Sequence, residues 1–339
     1  MRVARFSAAG EDDAPAHPNR VAPGPASVEQ QAFRPRPGPH VTASSTATLL
    51  GCGAILLWSL LALFTAASGA VPPFQLAAMT FALGGLVGCA SWLARRGGIE
   101  AGLAALRQPW PVWALGVGGL FGYHALYFAA LRLAPPAEAG LINYLWPLLI
   151  VLFSARLPGA GGLRPGHLLG ALLGLAGVVV LFLGRGDLRS AGFLSDASLP
   201  GYAASLTAAF VWAGYSVLSR RVGAVPTDAV AGFCLATAAL SLACHGAWET
   251  TVWPEGAGQW GAVAALGLGP VGAAFYLWDV GCKRGDIRLL GVAAYAAPVL
   301  STLILVSTGY AAATPVLGLA CALIVAGALV ALRTSRGGA

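Results

Sequence analysis

The stretch Gly140–Leu152, GLINYLWPLLIVL, indicates the fold because it belongs to a segment that recurs later in the chain. A shift of 151 residues places Ala114–Leu152 on Ala265–Leu303 without a gap, and ten of the 39 positions are identical. The matched pairs include Gly140 and Gly291, Tyr144 and Tyr295, and Pro147 and Pro298. We therefore predict that the chain consists of two structural repeats.

The composition is typical of a membrane protein. Of the 339 residues, 57% are hydrophobic and 10% are charged, whereas a soluble domain carries about 25% charged residues. A helix of about 20 apolar residues crosses the bilayer core. Ten runs are long enough: 47–68, 73–94, 111–132, 136–156, 165–184, 199–219, 227–248, 260–282, 287–307 and 314–333. We predict an all-α membrane protein with ten transmembrane helices.

Each repeat has five spans, and because five is odd the second repeat enters the membrane from the opposite side. Such inverted repeats are common in secondary transporters, which bind substrate near the midplane between them. The proline-rich N-terminal residues show no apolar period and are predicted to be disordered. The predicted segments are a disordered tail (1–45), a first five-helix repeat (46–184), a periplasmic linker (185–198), a second five-helix repeat (199–333) and a C-terminal tail (334–339).

The distribution of basic residues predicts the orientation, because cytoplasmic loops collect Lys and Arg. With both termini in the cytoplasm, 17 of the 20 basic residues lie inside, and the exceptions are Arg132, Arg185 and Arg189. Without the N-terminal tail the division is still 12 to 3. The net charge of +7 therefore follows from topology, and no soluble basic face for nucleic acid is expected.

Two five-span repeats with a proline late in the fourth and ninth spans resemble the drug/metabolite transporter superfamily, specifically its EamA-type members. The resemblance covers residues 46–333. Within the superfamily, the segment GLINYLWPLL is similar to the aromatic amino-acid exporters. This resemblance implies export of aromatic and other neutral amino acids across the bacterial inner membrane.

Pro147 and Pro298 are candidate hinges. A proline removes one backbone N–H and clashes with the preceding turn, so in lipid the carbonyl near Asn143 needs another partner. The Asn143 side chain could help to satisfy that carbonyl or reach into a cavity, whereas Ala294 stands at the equivalent position before Pro298. Two interpretations remain open, a packing kink and a hinge that also forms a cavity wall.

Aromatic and small polar residues within the spans are candidate contacts for a substrate held in a ring-lined chamber between the repeats. Rings can stack on an aromatic substrate and accept its ammonium on a ring face. Asn and Ser side chains can bind its carboxylate or amine, and the alternative is packing, including hydrogen-bonded packing for His124. The candidates are Trp58, Ser59, Tyr123, His124, Tyr127, Asn143, Tyr144, Trp146, Trp212, Tyr215, Ser216, Tyr276, Tyr295 and Ser301.

Asp279 is the one acidic side chain that we assign to the interior of a span. An intramembrane charge often marks a functional site, but Lys283 follows four residues later on the same helix face. We therefore favour a local ion pair over a coupling site.

No pattern in the sequence indicates an enzyme, a cofactor or a metal site, and none of the six cysteines forms a CxxC pair. Gly170, Gly174 and Gly177 place small residues along one side of the fifth span. This spacing predicts close helix packing in a monomer. A dimer through that face is the alternative.

The substrate class follows from what the spans lack. The first span has no ionisable side chain, which counts against a proton-coupled exporter of cationic drugs, and no basic group lies at mid-depth to bind a phosphate ester. We predict a facilitative exporter of aromatic and other neutral amino acids that works by alternating access. It would need the lipid bilayer and no cofactor. The alternative is a proton-coupled exporter of small metabolites or drugs.

Overall fold

The computed structural model describes residues 44–94, 96–157, 163–184, 198–307 and 313–336. Regular structure in these ranges is entirely helical, which confirms the all-α prediction. The predicted disordered tail up to residue 43, residues 185–197 of the predicted linker and the last three residues of the chain lie outside the described residues.

The helices follow one another closely along the chain. In order they are α1 (Ser45–Ser59), α2 (Leu61–Ala67), α3 (Pro73–Ser91), α4 (Gly98–Leu106), α5 (Trp110–Val117), α6 (Tyr123–Leu133), α7 (Pro136–Asn143), α8 (Trp146–Ser154), α9 (Pro165–Gly184), α10 (Leu199–Ser219), α11 (Ala229–Trp248), α12 (Gly256–Leu268), α13 (Ala274–Arg284), α14 (Ile287–Ala293), α15 (Ala296–Ser307) and α16 (Pro315–Arg336). Helix α16 extends to Arg336, within the segment 334–339 that is predicted as the C-terminal tail. A π-helical turn joins α5 to α6 (Gly118–Gly122), and another joins α12 to α13 (Gly269–Ala273).

Eight helical stretches of the described chain are long and apolar enough to cross a membrane: Ser45–Ala67, Pro73–Ala94, Trp110–Leu133, Pro165–Gly184, Ala229–Trp248, Gly256–Arg284, Ile287–Ile304 and Pro315–Ser335. Glu138–Ser154 is apolar but shorter. Helix α10 has the length of a span but is not among these eight stretches. Every predicted run thus coincides with a helical stretch, although only eight qualify as spans by length and composition.

Equivalent elements recur at the spacing found in the sequence. The two π-helical turns start 151 residues apart, and so do α6 and α13. The breaks between α7 and α8 and between α14 and α15 fall at the matched residues Tyr144 and Tyr295. From α5 to α9 and from α12 to α16, the two halves therefore share one order of helices, breaks and π-helical turns.

The matched helices α9 and α16 pack against each other in opposite directions. Gly166, near the start of α9, lies against Thr334, near the end of α16. Gly184, the last residue of α9, lies against Val316, near the start of α16. A helix of the first half therefore runs antiparallel to its counterpart in the second half.

The glycine face of α9 allows this close approach. A Cβ added at Gly170 would lie 2.7 Å from the carbonyl oxygen of Gly327, and Gly177 also meets α16. Gly174 lies against the ring of Tyr295. The predicted close packing is therefore confirmed. Because α16 and Tyr295 cover this face within the chain, it is not free to bind a second copy.

The matched helices α3 and α11 are also antiparallel. The rings of Phe74, at the start of α3, and Trp248, at the end of α11, lie 6.0 Å apart. Further along α3, Gly85 lies against Leu235. The Glu249 carboxylate accepts the backbone N–H groups of Phe74 and the next residue at 3.1 and 3.0 Å, and so caps α3.

One end of the bundle, which we call the basic end, brings together Ser44, Arg164, Arg220, Arg284 and Thr334. The Ser44 N–H donates to the Arg284 carbonyl at 2.9 Å. Arg164 Nη1 donates to the Thr334 carbonyl at 3.0 Å, and Arg220 Nη1 donates to the backbone just after α13 at 2.5 Å. The first and last described helical residues therefore lie at the same end.

Candidate functional site

The stretch Gly140–Leu152 forms two short helices that meet at Tyr144. Pro147 is the second residue of α8. The N–H of a residue at this position has no partner within the helix, so the proline costs the helix no hydrogen bond. The N–H of Leu148 would bond to the Tyr144 carbonyl in a continuous helix, but it donates to Tyr295 Oη at 3.2 Å. Tyr295 itself lies at the equivalent break of the second half. The helix breaks at this point, and each half contributes a group to the break.

Five aromatic side chains meet near this break and form what we call the ring cluster: Trp58, Trp146, Trp212, Phe275 and Trp278. Trp58 contacts the other four, and the centroids of contacting rings lie 5.0–6.4 Å apart. The rings come from α1, α8, α10 and α13, and so from both halves of the chain.

Hydrogen bonds fix two of the indoles in the ring cluster. Trp58 Nε1 donates to the Pro270 carbonyl in the π-helical turn, and Trp278 Nε1 donates to Ser216 Oγ, both at 3.1 Å. Because the rings contact one another, they fill the position where the sequence predicts a chamber. A ligand could enter this position only if the rings moved apart.

Tyr123 extends the ring cluster towards α7. Its ring lies 5.2 Å from Trp212 and stacks on Tyr127 at 6.0 Å. Asn143 Nδ2 donates to Tyr123 Oη at 2.8 Å, so the Asn143 amide does not satisfy the carbonyl freed at the break. Asn143 Oδ1 is buried and has no hydrogen-bond partner in the described part of the chain. The Tyr215 ring also lies beside the ring cluster, and its centroid is 5.3 Å from that of Trp212.

His124 lies beside these rings and bonds to its own helix. Its Nδ1 lies 2.7 Å from the Leu120 carbonyl oxygen. The imidazole meets the Phe81 ring edge to face at 5.0 Å. These contacts are compatible with the interpretation of His124 as a hydrogen-bonded packing residue, and substrate contact stays a prediction.

Other predicted site residues lie outside the ring cluster: Ser59, Tyr144, Tyr276, Tyr295 and Ser301. The Ser59 hydroxyl donates to a carbonyl of its own helix at 2.6 Å. Tyr144 packs against a ring of α9 at 6.1 Å, and Tyr276 donates to a carbonyl of α3 at 3.1 Å. Tyr295 supports the break, and Ser301 lies on α15, which supplies no ring to the cluster.

Asp279 and Lys283 form a buried ion pair, as predicted. Lys283 Nζ lies 2.8 Å from Asp279 Oδ2, and both side chains are less than 5% exposed. Thr227 donates to the same carboxylate oxygen at 2.7 Å, and Lys283 donates to the Val225 carbonyl at 2.9 Å. The pair therefore joins α13 to the segment that precedes α11, at the basic end.

Glu138 is a second buried acid, and the prediction that Asp279 is the only one within a span is wrong. Glu138 is completely buried in α7. The Tyr202 hydroxyl donates to its Oε2, while Oε1 has no partner among the described residues. Glu138 lies two residues inside its apolar run and just after two prolines, where a solvated carboxylate is the ordinary expectation. The position of Glu138 within the apolar run 136–156 was the signal in the sequence that could have identified it as a buried acid.

The family follows from a comparison with known sequences. The model of the EamA-like transporter family matches residues 45–183 and again residues 199–333. The chain belongs to the EamA-like transporter family. Together with the apolar helices, this membership makes it a multi-pass membrane protein and a transporter, in agreement with the resemblance seen in the sequence.

Named relatives of this EamA-like chain include aromatic amino acid exporters called YddG. The Ancylobacter novellus protein is 63% identical, over 86% of this chain and 99% of its own length. The Salmonella typhimurium protein is 29% identical, over 76% of this chain and 87% of its own. A solved crystal structure with 61% identity has a TM-score of 0.81 and covers 87% of this chain and 99% of its own.

Proposed function

We propose that this chain is a facilitative exporter of aromatic and other neutral amino acids that works by alternating access in the bacterial inner membrane. One observation carries the proposal: the ring cluster, drawn from both halves, adjoins the Tyr123–Asn143 pair, whose amide oxygen has no partner among the described residues. The names of the relatives, aromatic amino acid exporters, support the substrate class.

The proposed binding chemistry uses the groups already in place. An aromatic side chain would stack among the indoles, at about 0.5–1.5 kcal/mol per ring pair beyond area burial. Its ammonium would donate to Asn143 Oδ1 and lie against a ring face. The proposed contact residues are Trp58, Tyr123, His124, Tyr127, Asn143, Trp146, Trp212, Tyr215 and Ser216.

Alternating access would begin from a conformation in which the rings touch. The breaks at Tyr144 and Tyr295 divide two spans into short helices, and Pro147 and Pro298 lie just beyond them. We propose that both breaks act as hinges that part the rings to admit substrate. The hydrogen bond from Leu148 to Tyr295 would couple the two hinges, because it joins one break to the other.

The proposed topology is ten spans in two inverted repeats, residues 46–184 and 199–333, with both termini in the cytoplasm. The antiparallel pairs α9–α16 and α3–α11 support the inversion, as do the two separate matches of the family model. The arginines of the basic end support a cytoplasmic placement of that end. At the opposite end, Arg132 pairs with Glu249 at 3.1 Å.

One observation favours the alternative, a proton-coupled exporter. The Glu138 carboxyl is buried and has one oxygen without a partner in the described chain, which is typical of a group that exchanges a proton. Asp279 favours it less, because Lys283 already neutralises that carboxylate.

Efflux from proteoliposomes tests both functions. Labelled tryptophan or phenylalanine should leave liposomes down its gradient at equal internal and external pH. A pH difference should change the rate little, and Glu138→Gln should transport as well as the parent chain. Strict dependence on the pH difference, abolished by Glu138→Gln, would establish proton coupling. Transport of metabolites or drugs but no amino acid would overturn the proposed substrate class.

A further inference from the structure

A cleft of about 430 Å³ lies at the basic end and takes no part in the proposed transport site. Its walls are the segment before α11 and one side of α13. The lining residues are Pro226, Thr227, Asp228, Tyr276, Leu277, Val280 and Arg284. The volume falls within the range of about 300–1,000 Å³ that is usual for small-molecule sites.

The cleft opens on the side of α13 that faces away from the ring cluster. Phe275 and Trp278 are buried on the inner side of this helix. Tyr276, Val280 and Arg284 are four residues apart, share the other side and are partly or largely exposed. The cleft therefore opens to the outer surface of the helix bundle, which in a membrane protein is surrounded by lipid.

The lining changes from apolar to charged along α13. Leu277 and Val280 form the apolar part, one to two turns before Arg284, the last residue of the helix. Across the cleft, Asp228 supplies a carboxylate. An apolar slot that ends in two opposite charges matches an amphiphile whose polar group is a zwitterion.

The matched positions of the first half lack these charges. A shift of 151 residues places Leu126, Ala129 and Leu133 at the positions of Leu277, Val280 and Arg284. The charged cleft therefore belongs to one half only.

We propose that this cleft binds a phospholipid headgroup that carries both a phosphate and a primary ammonium, as in phosphatidylethanolamine. The Arg284 guanidinium presents paired N–H donors that suit phosphate oxygens. The Asp228 carboxylate accepts from the ammonium, and the glycerol and first acyl carbons lie along Leu277 and Val280. A quaternary ammonium cannot donate to Asp228, and phosphatidylglycerol has no cation to offer it.

Native mass spectrometry of the purified full chain tests the proposal with an equimolar mixture of phosphatidylethanolamine, phosphatidylcholine and phosphatidylglycerol. We expect the ethanolamine lipid to be retained at least about fivefold over each competitor. Arg284→Gln and Asp228→Asn should each lower that retention about tenfold, because each variant loses one charge-assisted hydrogen bond to the lipid. The matched control is Arg221→Gln, an exposed arginine that does not line the cleft.

Equal retention of the three lipids, or a preference for phosphatidylglycerol, would overturn the proposal, because either result requires only a general cationic surface. Unchanged retention in both cleft variants would overturn it as well. Elution volume and tryptophan efflux of each variant show whether it is folded. A variant that fails this check is replaced by Arg284→Lys, which keeps the charge, loses the paired donors and should weaken retention by a smaller factor.

Discussion

Asn143 can serve both structure and binding, because its two amide atoms have different surroundings. The nitrogen holds Tyr123, whereas the oxygen is buried without a partner in the described chain. A buried polar atom that lacks a hydrogen bond costs about 1–3 kcal/mol. A ligand N–H that reached this oxygen would recover that cost, so the position favours a substrate with an amine.

Asn143→Ala should therefore weaken substrate binding more than folding. We expect the KM for tryptophan efflux to rise about tenfold, since one hydrogen bond to a charged group is worth about 1.5–3 kcal/mol. The melting temperature in detergent should change little. Thr237→Val is the matched control, because Thr237 Oγ1 is also buried without a partner in the described part of the chain but lies on α11. Equal effects of the two variants on KM would contradict a binding role for Asn143.

Trp146→Ala tests the ring cluster. The Trp146 indole contacts Trp58, Trp212 and Trp278, and two lost ring contacts with a substrate would lower the transport rate about tenfold. The rate is measured per amount of inserted protein, so that loss of insertion is counted separately. Trp110→Ala is the control, because Trp110 is 78% exposed. A transport rate equal to that of the control would remove Trp146 from the proposed site.

At the scale of elements, the antiparallel pair α9–α16 depends on glycine. A side chain at Gly170 would meet the Gly327 carbonyl, which is backbone and cannot turn aside. The two helices would have to move apart, and their van der Waals contacts would weaken. In lipid these contacts, and not the hydrophobic effect, hold helices together. Gly174 of α9 also lies under the Tyr295 ring, so a displacement of α9 would affect the break in the second half.

Gly170→Ala should consequently lower the melting temperature of the detergent-solubilised protein by several degrees. Gly318→Ala is the matched control, because it lies on α16 with open space around its added Cβ. Alanine is a better helix former than glycine by about 1 kcal/mol, so the control should melt at the same or a higher temperature. A stabilising Gly170→Ala would show that the two helices are not in close contact.

The break between α7 and α8 depends on the other half of the molecule. Pro147 makes a continuous helix unfavourable, but the unpaired N–H of Leu148 is satisfied by Tyr295, 147 residues away. The proline thus sets where the helix breaks. The hydrogen bond to Tyr295 satisfies a backbone N–H that would otherwise lack a partner in lipid.

At the scale of the whole molecule, the relative direction of the halves can be tested by cross-linking. In a chain whose native cysteines are replaced, Gly166→Cys with Thr334→Cys should form a disulfide on oxidation, since the two positions are in contact. Gly184→Cys with Val316→Cys should do the same at the other end. Gly166→Cys with Val316→Cys is the control, because these two positions lie at opposite ends of the α9–α16 pair. A disulfide in the control alone would mean that the halves run in the same direction.

Much of this architecture could be predicted from the sequence, because hydropathy and repetition are local properties. The apolar runs located the helical stretches, the shift of 151 residues matched the π-helical turns and the breaks, and the i,i+4 spacing predicted the Asp279–Lys283 pair. The ring candidates were also visible, since an indole within an apolar run has few alternatives to packing or binding.

The tertiary structure decided which of those residues meet. The ring cluster joins Trp58 to Trp278, the Asn143 amide turns to Tyr123, and Glu138 pairs with Tyr202. Each of these contacts unites different helices, and helix rotation and crossing are set by the packing of many side chains at once. The sequence alone therefore determined the helices, their breaks and their repetition. Only the packed bundle determined the closed ring cluster, the open amide oxygen and the second buried acid, because those depend on distances between segments remote in the chain.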